Sequence, residues 1–568
     1  MMTVIRTKKL FFVFLLGVMG LVAQANDNNQ KGNASGFNAQ SPVHYEMVLA
    51  GNFGEPRPHH FHGGIDVKTD RVEGKPIFSI ADGYVSRVTV GLYGFGNAVY
   101  VQHPEGYTSV YCHLKKFTPR IAAALRRWQY EHQSYQADVR LKATDCPVVQ
   151  GQLIAVSGNT GSSQAPHLHF EIHDTRTWNM LDPLQFLGHC VNDHTPPQAH
   201  GFMACPQEGE GVFNGGAMKQ NFGFGSHHLA RKFTAWGKVG FALWANDYME
   251  GTYNNYGIRH TVLTVDGQEV FRSDVNNIPV EANRLVNSWG DYHHYLRSNV
   301  WYMKSFIEPG NTLSMLWADK NSGIVTFDEE RDYHLSYLLT DFAGNTSEYT
   351  FVVTGEPRAI PPVSAPNLLR LMRWDRVNHF SLPGMELVIG KHLLTKNVEL
   401  CPEVTIRPDG YSDSYTLYNA SYPLVSDARI SLKCKRNVKD PSKLYVVCQW
   451  GSDRYKGGKY KDGWVSAPLR ELGAAYELAY DDTPPQINPM GMGETVTFGI
   501  SDNGSGIRTY RGYVDGQFVL FEEVGKSPCV RCNLKETPIR KTDDMHQLRF
   551  IVTDNRNNQQ TYETQIKY

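Results

Sequence analysis

The sequence has almost no net charge: 56 Lys and Arg face 57 Asp and Glu across 568 residues. A chain so balanced lacks the basic surface that nucleic-acid binding requires. It also lacks a long apolar run. The stretch at 10–22 is too short to cross a bilayer, and no later segment reaches the roughly 18 apolar residues a span needs. Cysteine is sparse and odd in number, nine in all, so a disulfide scaffold is excluded and at least one thiol stays free or pairs between molecules. Cys529 and Cys532 form a lone CxxC with no second pair and no βαβ context, which favours a local disulfide or structural thiols over a redox or zinc motif. No HExxH, GxSxG or P-loop pattern occurs, so those enzyme classes lack support.

What is present can bury cores. Hydrophobic residues make up 41% of the chain, with 30 Tyr, 27 Phe and 10 Trp, and the length predicts roughly four domains. Arg6, Lys8 and Lys9 precede the early apolar run and Ala23-Gln24-Ala25 follows it. This reads as a cleavable export signal over 1–25, placing the product in the periplasm, at the cell surface or outside the cell. Residues 26–40, rich in Asn, Gln, Gly and Ser, read as a mobile leader.

Short Gly-punctuated strands at 76–80, 83–90, 97–102 and 107–113 predict an antiparallel β domain over 41–190. It carries one helical insertion, where Thr118 and Pro119 suit the N-cap and first helical position before Ile121, Leu125 and Trp128. Strands resume at 151–157 and 167–172. Asp193-His194-Thr195-Pro196-Pro197-Gln198 then matches Asp481-Asp482-Thr483-Pro484-Pro485-Gln486 at all positions but the second. Landmarks follow in the same order: Asp247, Asp266-Gly267 and Thr340-Asp341 after the first, Asp502, Asp515-Gly516 and Thr553-Asp554 after the second. Two immunoglobulin-like β-sandwiches of one topology are therefore expected, at 191–356 and 481–568. The first has an insertion with a helix at 281–289. A Pro-rich linker at 357–366 leads to a third β-rich accessory unit at 367–480. The fold class is mainly β. With every candidate catalytic position before Asp193, a fragment ending there is expected to keep its metal site.

The chemistry lies in three clusters: His62-Gly63-Gly64-Ile65-Asp66, Tyr111-Cys112-His113-Leu114 and Pro166-His167-Leu168-His169-Phe170-Glu171. Residues two apart on a strand share a face, so His167 and His169 reach one cleft while Leu168 and Phe170 face the core. The step from His62 to Asp66, across two Gly that let the backbone turn sharply, brings an imidazole and a carboxylate toward one ion. Hydrolytic zinc takes three protein ligands and leaves the fourth position to water. Two His and one carboxylate fit that demand. Two further His remain to move protons and stabilise an oxyanion.

At these residues the sequence resembles the lysostaphin/LytM-type zinc metallopeptidases, whose signature combines HxxxD, a His in a Tyr-x-His-Leu strand and a terminal HxH. The likeness covers about 52–172 and includes the turns Gly91-Leu92-Tyr93-Gly94-Phe95-Gly96-Asn97 and Gly158-Asn159-Thr160-Gly161-Ser162-Ser163. The resemblance implies one Zn2+ per chain on His62, Asp66 and His169, with His113 and His167 flanking the metal-bound water as catalytic residues. It implies hydrolysis of peptide bonds in bacterial peptidoglycan. Ala165 stands where that family usually has Gly, and the helical insertion is a further departure. The complete layout also resembles exported peptidases of Bacteroidetes-like bacteria with β-sandwich tails, which points to the D-alanine to meso-diaminopimelate crosslink. Arg57 is a candidate for a substrate carboxylate, against a structural salt bridge, and Tyr93 for the groove wall. His59, His60 and His103 are assigned structural or solvent-facing places. Two rival readings are a non-enzymatic regulator of other wall hydrolases and an adhesin or binding protein working through its sandwiches. The sandwiches offer a surface for an envelope protein partner.

Overall fold

The computed structural model describes residues 36–449 and 455–568. The expected export signal and most of the expected leader lie outside the described residues. From Gly36 onward the chain is packed, because Phe37 sets its ring against His103, Tyr107 and Phe186 and is buried with Ala39. The end of the expected leader is thus part of the first core.

The protein is mainly β. Its N-terminal unit is an antiparallel sheet in the order Leu49–Gly51, Ile65–Lys68, His167–Asp174, Tyr107–Cys112, Ala98–Gln102, Gly83–Val90 and Ala137–Arg140. A smaller sheet of Pro76–Phe78, Leu153–Ser157 and Leu114–Phe117 packs beside it. Alternation makes the core: Leu168, Phe170 and Ile172 are fully buried on one face of their strand. The helix Pro119–His132 carries Pro at its first turn and buries Ile121, Leu125 and Gln129. The helical position expected at Trp128 is only partly buried.

The two DxTPPQ segments open units with matching pairings. Gln198–Phe213 pairs with His228–Asn246 as Gln486–Met492 pairs with Thr495–Ser501. His260–Val265 pairs with Gln268–Asp274 and Asp332–Thr340 as Ile507–Val514 pairs with Gln517–Val519 and Met545–Asp554. The last two strands of each unit pair as hairpins. Each unit wraps an apolar core, aromatic-rich in the first. The helix expected at 281–289 is a 3-10 turn, Val280–Leu285, running into a short α-helix, Val286–Trp289. Between the two units, residues 357–366 have no regular structure and are mostly exposed, and a third core is built from strands between Leu371 and Tyr480. All nine cysteines are free thiols.

The first sandwich is fused to the N-terminal unit. Phe53, Phe61 and Met180 of the N-terminal unit lie in the sandwich core, while Met249 and Tyr256 of the sandwich lie in the N-terminal core. Met180–Leu181 pairs with Asn277–Ile278, so one sheet crosses the boundary. This weighs against the expectation for a fragment ending near Asp193, since the cut would expose Phe53, Phe61 and Met180 and remove Tyr256 from the first core. The C-terminal sandwich returns to the insertion helix. Arg126 reaches Glu522 at 3.2 Å, Tyr513 donates to Gln133 Oε1 at 2.8 Å, and Tyr130 meets Phe518 edge-on.

Candidate active site

Strand register brings the candidate ligands together. His169 lies directly opposite Asp66 in the antiparallel pair of Ile65–Lys68 with His167–Asp174, so both side chains leave the same face. Gly63 and Gly64 serve close approach rather than a sharp turn, and neither has a positive φ. A Cβ on Gly64 would sit 2.0 Å from Phe170 O, and one on Gly63 2.6 Å from Glu171 Oε1. Only glycine lets this segment lie against the HxH strand and deliver His62.

His62 Nε2, Asp66 Oδ1 and His169 Nδ1 form a triangle with edges of 3.0, 2.9 and 2.9 Å. The other nitrogen of each imidazole is already used. His62 Nδ1–H donates to Asn52 O at 2.6 Å, and a carbonyl can only accept. His169 Nε2–H donates to Glu171 Oε1 at 2.9 Å, and His173 and His169 hold the Glu171 carboxyl below its ordinary range even though burial works the other way. With the protons placed there, two nitrogen lone pairs and a carboxylate oxygen converge on one point, which is unfavourable unless a cation lies between them. A tetrahedral zinc with bonds of about 2.0–2.1 Å needs ligand atoms about 3.3 Å apart. The donor set fits zinc to within a few tenths of an ångström.

Electrostatics agree. Burial pushes His62 down to about 4 despite Asp66, so its ring is a neutral donor at neutral pH. Asp66 is held well below 3.8, its burial being outweighed by His62, His167 and His169. His169 is raised to about 9, since Asp66 and Glu171 outweigh its burial.

His113 and His167 stand beside this triangle, their rings 4.8 Å apart. His113 does not end a strand as expected. The strand stops at Cys112, and His113 has φ +59°, a left-handed position that turns its ring toward the centre. Its Nδ1–H donates to Thr160 O at 2.8 Å. Burial pushes it down to about 3, so it is neutral at neutral pH. His167 Nδ1 contacts Ala165 O at 2.8 Å, and its Nε2 lies 3.3 Å from Asp66 Oδ1. The two glycine loops supply the carbonyl for His113. Gly161 has φ +68°, and a Cβ there would meet Gly94 O at 2.4 Å, so the loops interlock backbone to backbone.

Arg57 turns to the site rather than to open solvent, its Nη2 donating to Asp66 Oδ2 at 2.8 Å and to Glu55 at 3.4 Å. Tyr93 is 82% exposed and lines a cavity of about 1050 Å3 with Asn159, Thr160 and the C-terminal sandwich residues Arg508 and Glu523. Phe95 stacks on His169 at 5.7 Å. His59 contacts Tyr292 and His103 contacts Ser109, while His60 is exposed. Asn52, Glu171 and His173 escaped the sequence reading as site residues. Glu171 and His173 were discoverable, since they continue the two-residue period of His167 and His169. Asn52 acts through its carbonyl, which no side-chain pattern reports.

Residues 60–125 match the family described as Peptidase family M23, and residues 369–481 match the Zu5-like domain. An uncharacterized metalloprotease of Haemophilus influenzae is 29% identical over 152 residues, covering 26% of this chain and 27% of that protein. The peptidoglycan DD-endopeptidase ShyC of Vibrio cholerae is 31% identical over 149 residues, covering 26% of this chain and 28% of that protein. The chain thus spans little more than a quarter of the length of these relatives. The catalytic domain of lysostaphin from Staphylococcus simulans is 25% identical, covering 25% of this chain and 92% of that one, with a TM-score of 0.19. With His62, Asp66, His113, His167 and His169 gathered at one point, the N-terminal unit resembles the LytM-type metallopeptidases of peptidase family M23.

Proposed function

We propose that this protein is an exported zinc endopeptidase that hydrolyses peptide crosslinks of bacterial peptidoglycan, at the bond from D-alanine to meso-diaminopimelate. The observation that carries the proposal is the convergence of His62 Nε2, Asp66 Oδ1 and His169 Nδ1 on one point, with the remaining imidazole protons committed elsewhere. Those three residues would hold the metal, Zn2+, one per chain. Bound zinc supplies Lewis acidity toward the scissile carbonyl and toward water. Asn52 and Glu171 fix the ligand tautomers, and Arg57 holds the second oxygen of Asp66. His113 and His167 each have Nδ1 engaged by a backbone carbonyl, which leaves Nε2 of each ring to accept a proton, donate one to the leaving amine, or donate a hydrogen bond to the oxyanion. Tyr93 and the cavity beneath it would seat the peptide strands. A complete ligand set with two further histidines supports catalysis over a purely regulatory role.

Digestion of crosslinked muropeptides, followed by mass spectrometry and metal analysis, tests this reading. His169→Ala should lose zinc. His113→Ala and His167→Ala should keep zinc while turnover falls about 100-fold to 10,000-fold. Near-normal rates in both of the latter variants would defeat the proposal.

A further inference from the structure

Two further clusters of possible ligands lie far from the histidines. Asp193, Asp247 and Asp341 bring one carboxylate oxygen each within 4.8 Å of the others, and Asp481, Asp502 and Asp554 do the same. The two trios occupy the same three positions of the sandwich repeat. Asp193 and Asp481 open the DxTPPQ segments. Asp247 and Asp502 directly follow the partner of each unit's first strand, His228–Asn246 and Thr495–Ser501. Asp341 directly follows Asp332–Thr340, and Asp554 ends Met545–Asp554.

The supporting bonds repeat as well. Asn345 Nδ2 donates to Asp193 O at 3.3 Å and to Asp341 Oδ2 at 2.8 Å, and Asn558 Nδ2 donates to Asp481 O at 2.9 Å and to Asp554 Oδ2 at 2.7 Å. Thr195 N and Thr483 N each donate to Oδ1 of the leading Asp. In the second trio, Asp481 and Asp502 also accept from Ser505 N and from Gly504 N and Gly506 N.

Acidic neighbours alone do not make a site. Here Asp247, only 1% exposed, has its Oδ1 buried with no hydrogen-bond partner, and so does Oδ2 of Asp193, 7% exposed. Among the described residues no Lys, Arg or His forms an ion pair with any of the six carboxylates. In the first trio, buried carboxylate oxygens that nothing satisfies call for a proton or a cation in their midst, and the second trio repeats its positions and supporting bonds. The donors are all oxygen, the preference of hard cations, whereas zinc and copper favour imidazole and thiolate.

We propose that each Asp trio binds one hard divalent cation of the calcium class, clamping the Thr-Pro-Pro linker onto the end of its sandwich. In the first copy the clamp bears on the histidine centre. The segment after Asp247 docks on the N-terminal sheet, where Tyr256 donates to Leu49 O at 2.8 Å and Asn254 to Ala50 O at 2.9 Å. Asn52 exchanges side-chain bonds with Gly257 N and O, both 2.8 Å, and its own carbonyl holds His62.

Calcium titration of the full-length, zinc-loaded protein, read by calorimetry and by thermal melting, tests the proposal. Two saturable Ca2+ per chain and a rise in Tm are expected. Asp247→Asn should lose one of the two and Asp502→Asn the other. Asn preserves shape and removes buried charge, so in chelator these variants should melt no lower than the parent. Should either fail to fold, Asp341→Asn and Asp554→Asn read the same two sites. Absence of saturable binding up to about 10 mM, above the roughly 10⁻⁴–10⁻³ M range of exported calcium modules, would overturn the proposal. So would retention of both ions by the variants, or trios that take zinc in preference to calcium.

Discussion

Glu171 shows how one side chain governs the centre without facing it. It accepts from His169 Nε2 at 2.9 Å and from His173 Nε2 at 2.6 Å, so it fixes which nitrogen of His169 points inward. Outer partners of this kind are worth about 10-fold to 100-fold in metal affinity. Glu171→Gln should therefore weaken zinc binding by that factor in a chelator competition, and unchanged affinity would remove Glu171 from the site. Buried histidines also set an acid limit on stability. Burial lowers His59 to about 4 and His113 to about 3, from 6.5. A depressed His must take up a proton on unfolding, so its contribution is whole above pH 6.5 and is lost as the pH falls toward those values. Tm should drop between pH 6.5 and about 4. His59→Asn suits the left-handed backbone at that position, φ +68°, and should flatten the drop; an unaltered slope would mean that His59 does not contribute. Most of this chemistry was legible in the residues. The HxxxD and HxH spacings pointed to the candidate ligands that the fold brings together, and the two-residue strand period put His167 and His169 on one face. The partner of Arg57 was not legible, because its bond to Asp66 depends on the fold around Pro56–Arg57 rather than on spacing.

At the scale of elements, the interlocked loops are the sensitive part. Thr160 O positions His113, Thr160 Oγ1 accepts from Asn97 N at 3.0 Å, and Ser162 N donates to Gly94 O at 2.9 Å. Gly161→Ala would place a methyl group against Gly94 O in a left-handed backbone, at a cost of about 1–3 kcal/mol. The expected result is a lower kcat at unchanged zinc content, since no metal ligand sits on either loop. Loss of zinc would show instead that the loops support the whole sheet. The insertion helix was readable from Thr118-Pro119 and its apolar spacing. Its outer face was not, because Arg126, Tyr130 and Gln133 look like ordinary surface until a partner some four hundred residues away arrives.

Across the molecule, sequence punctuation located the repeat but concealed how the units share their cores. Pro-Pro at 196–197 reads as a boundary, yet Tyr256 and Phe61 cross it in opposite directions. The C-terminal sandwich lines the cavity beside Tyr93 through Arg508, Glu523 and Cys529, which favours a part in seating substrate over a targeting role alone. A chain ending near Tyr480 should retain zinc but lose activity on small soluble crosslinked peptides as well as on intact sacculi. Equal rates on soluble peptides for the shortened and full chains would return the sandwich to a targeting role.

The contact between that sandwich and the insertion helix closes the polypeptide into a ring, whose other joints are made by Arg284 with Leu424 O, by Thr395 with Glu308, and by Arg556 with Leu444 O. In a ring, continuity of the backbone at any one place is redundant. The exposed stretch at 357–366 is where a protease would cut first, and the two pieces would remain held together through the joints on either side. The candidate active site would then survive a nick that severs the covalent chain, and the same stretch offers a position for new termini in a circular permutant.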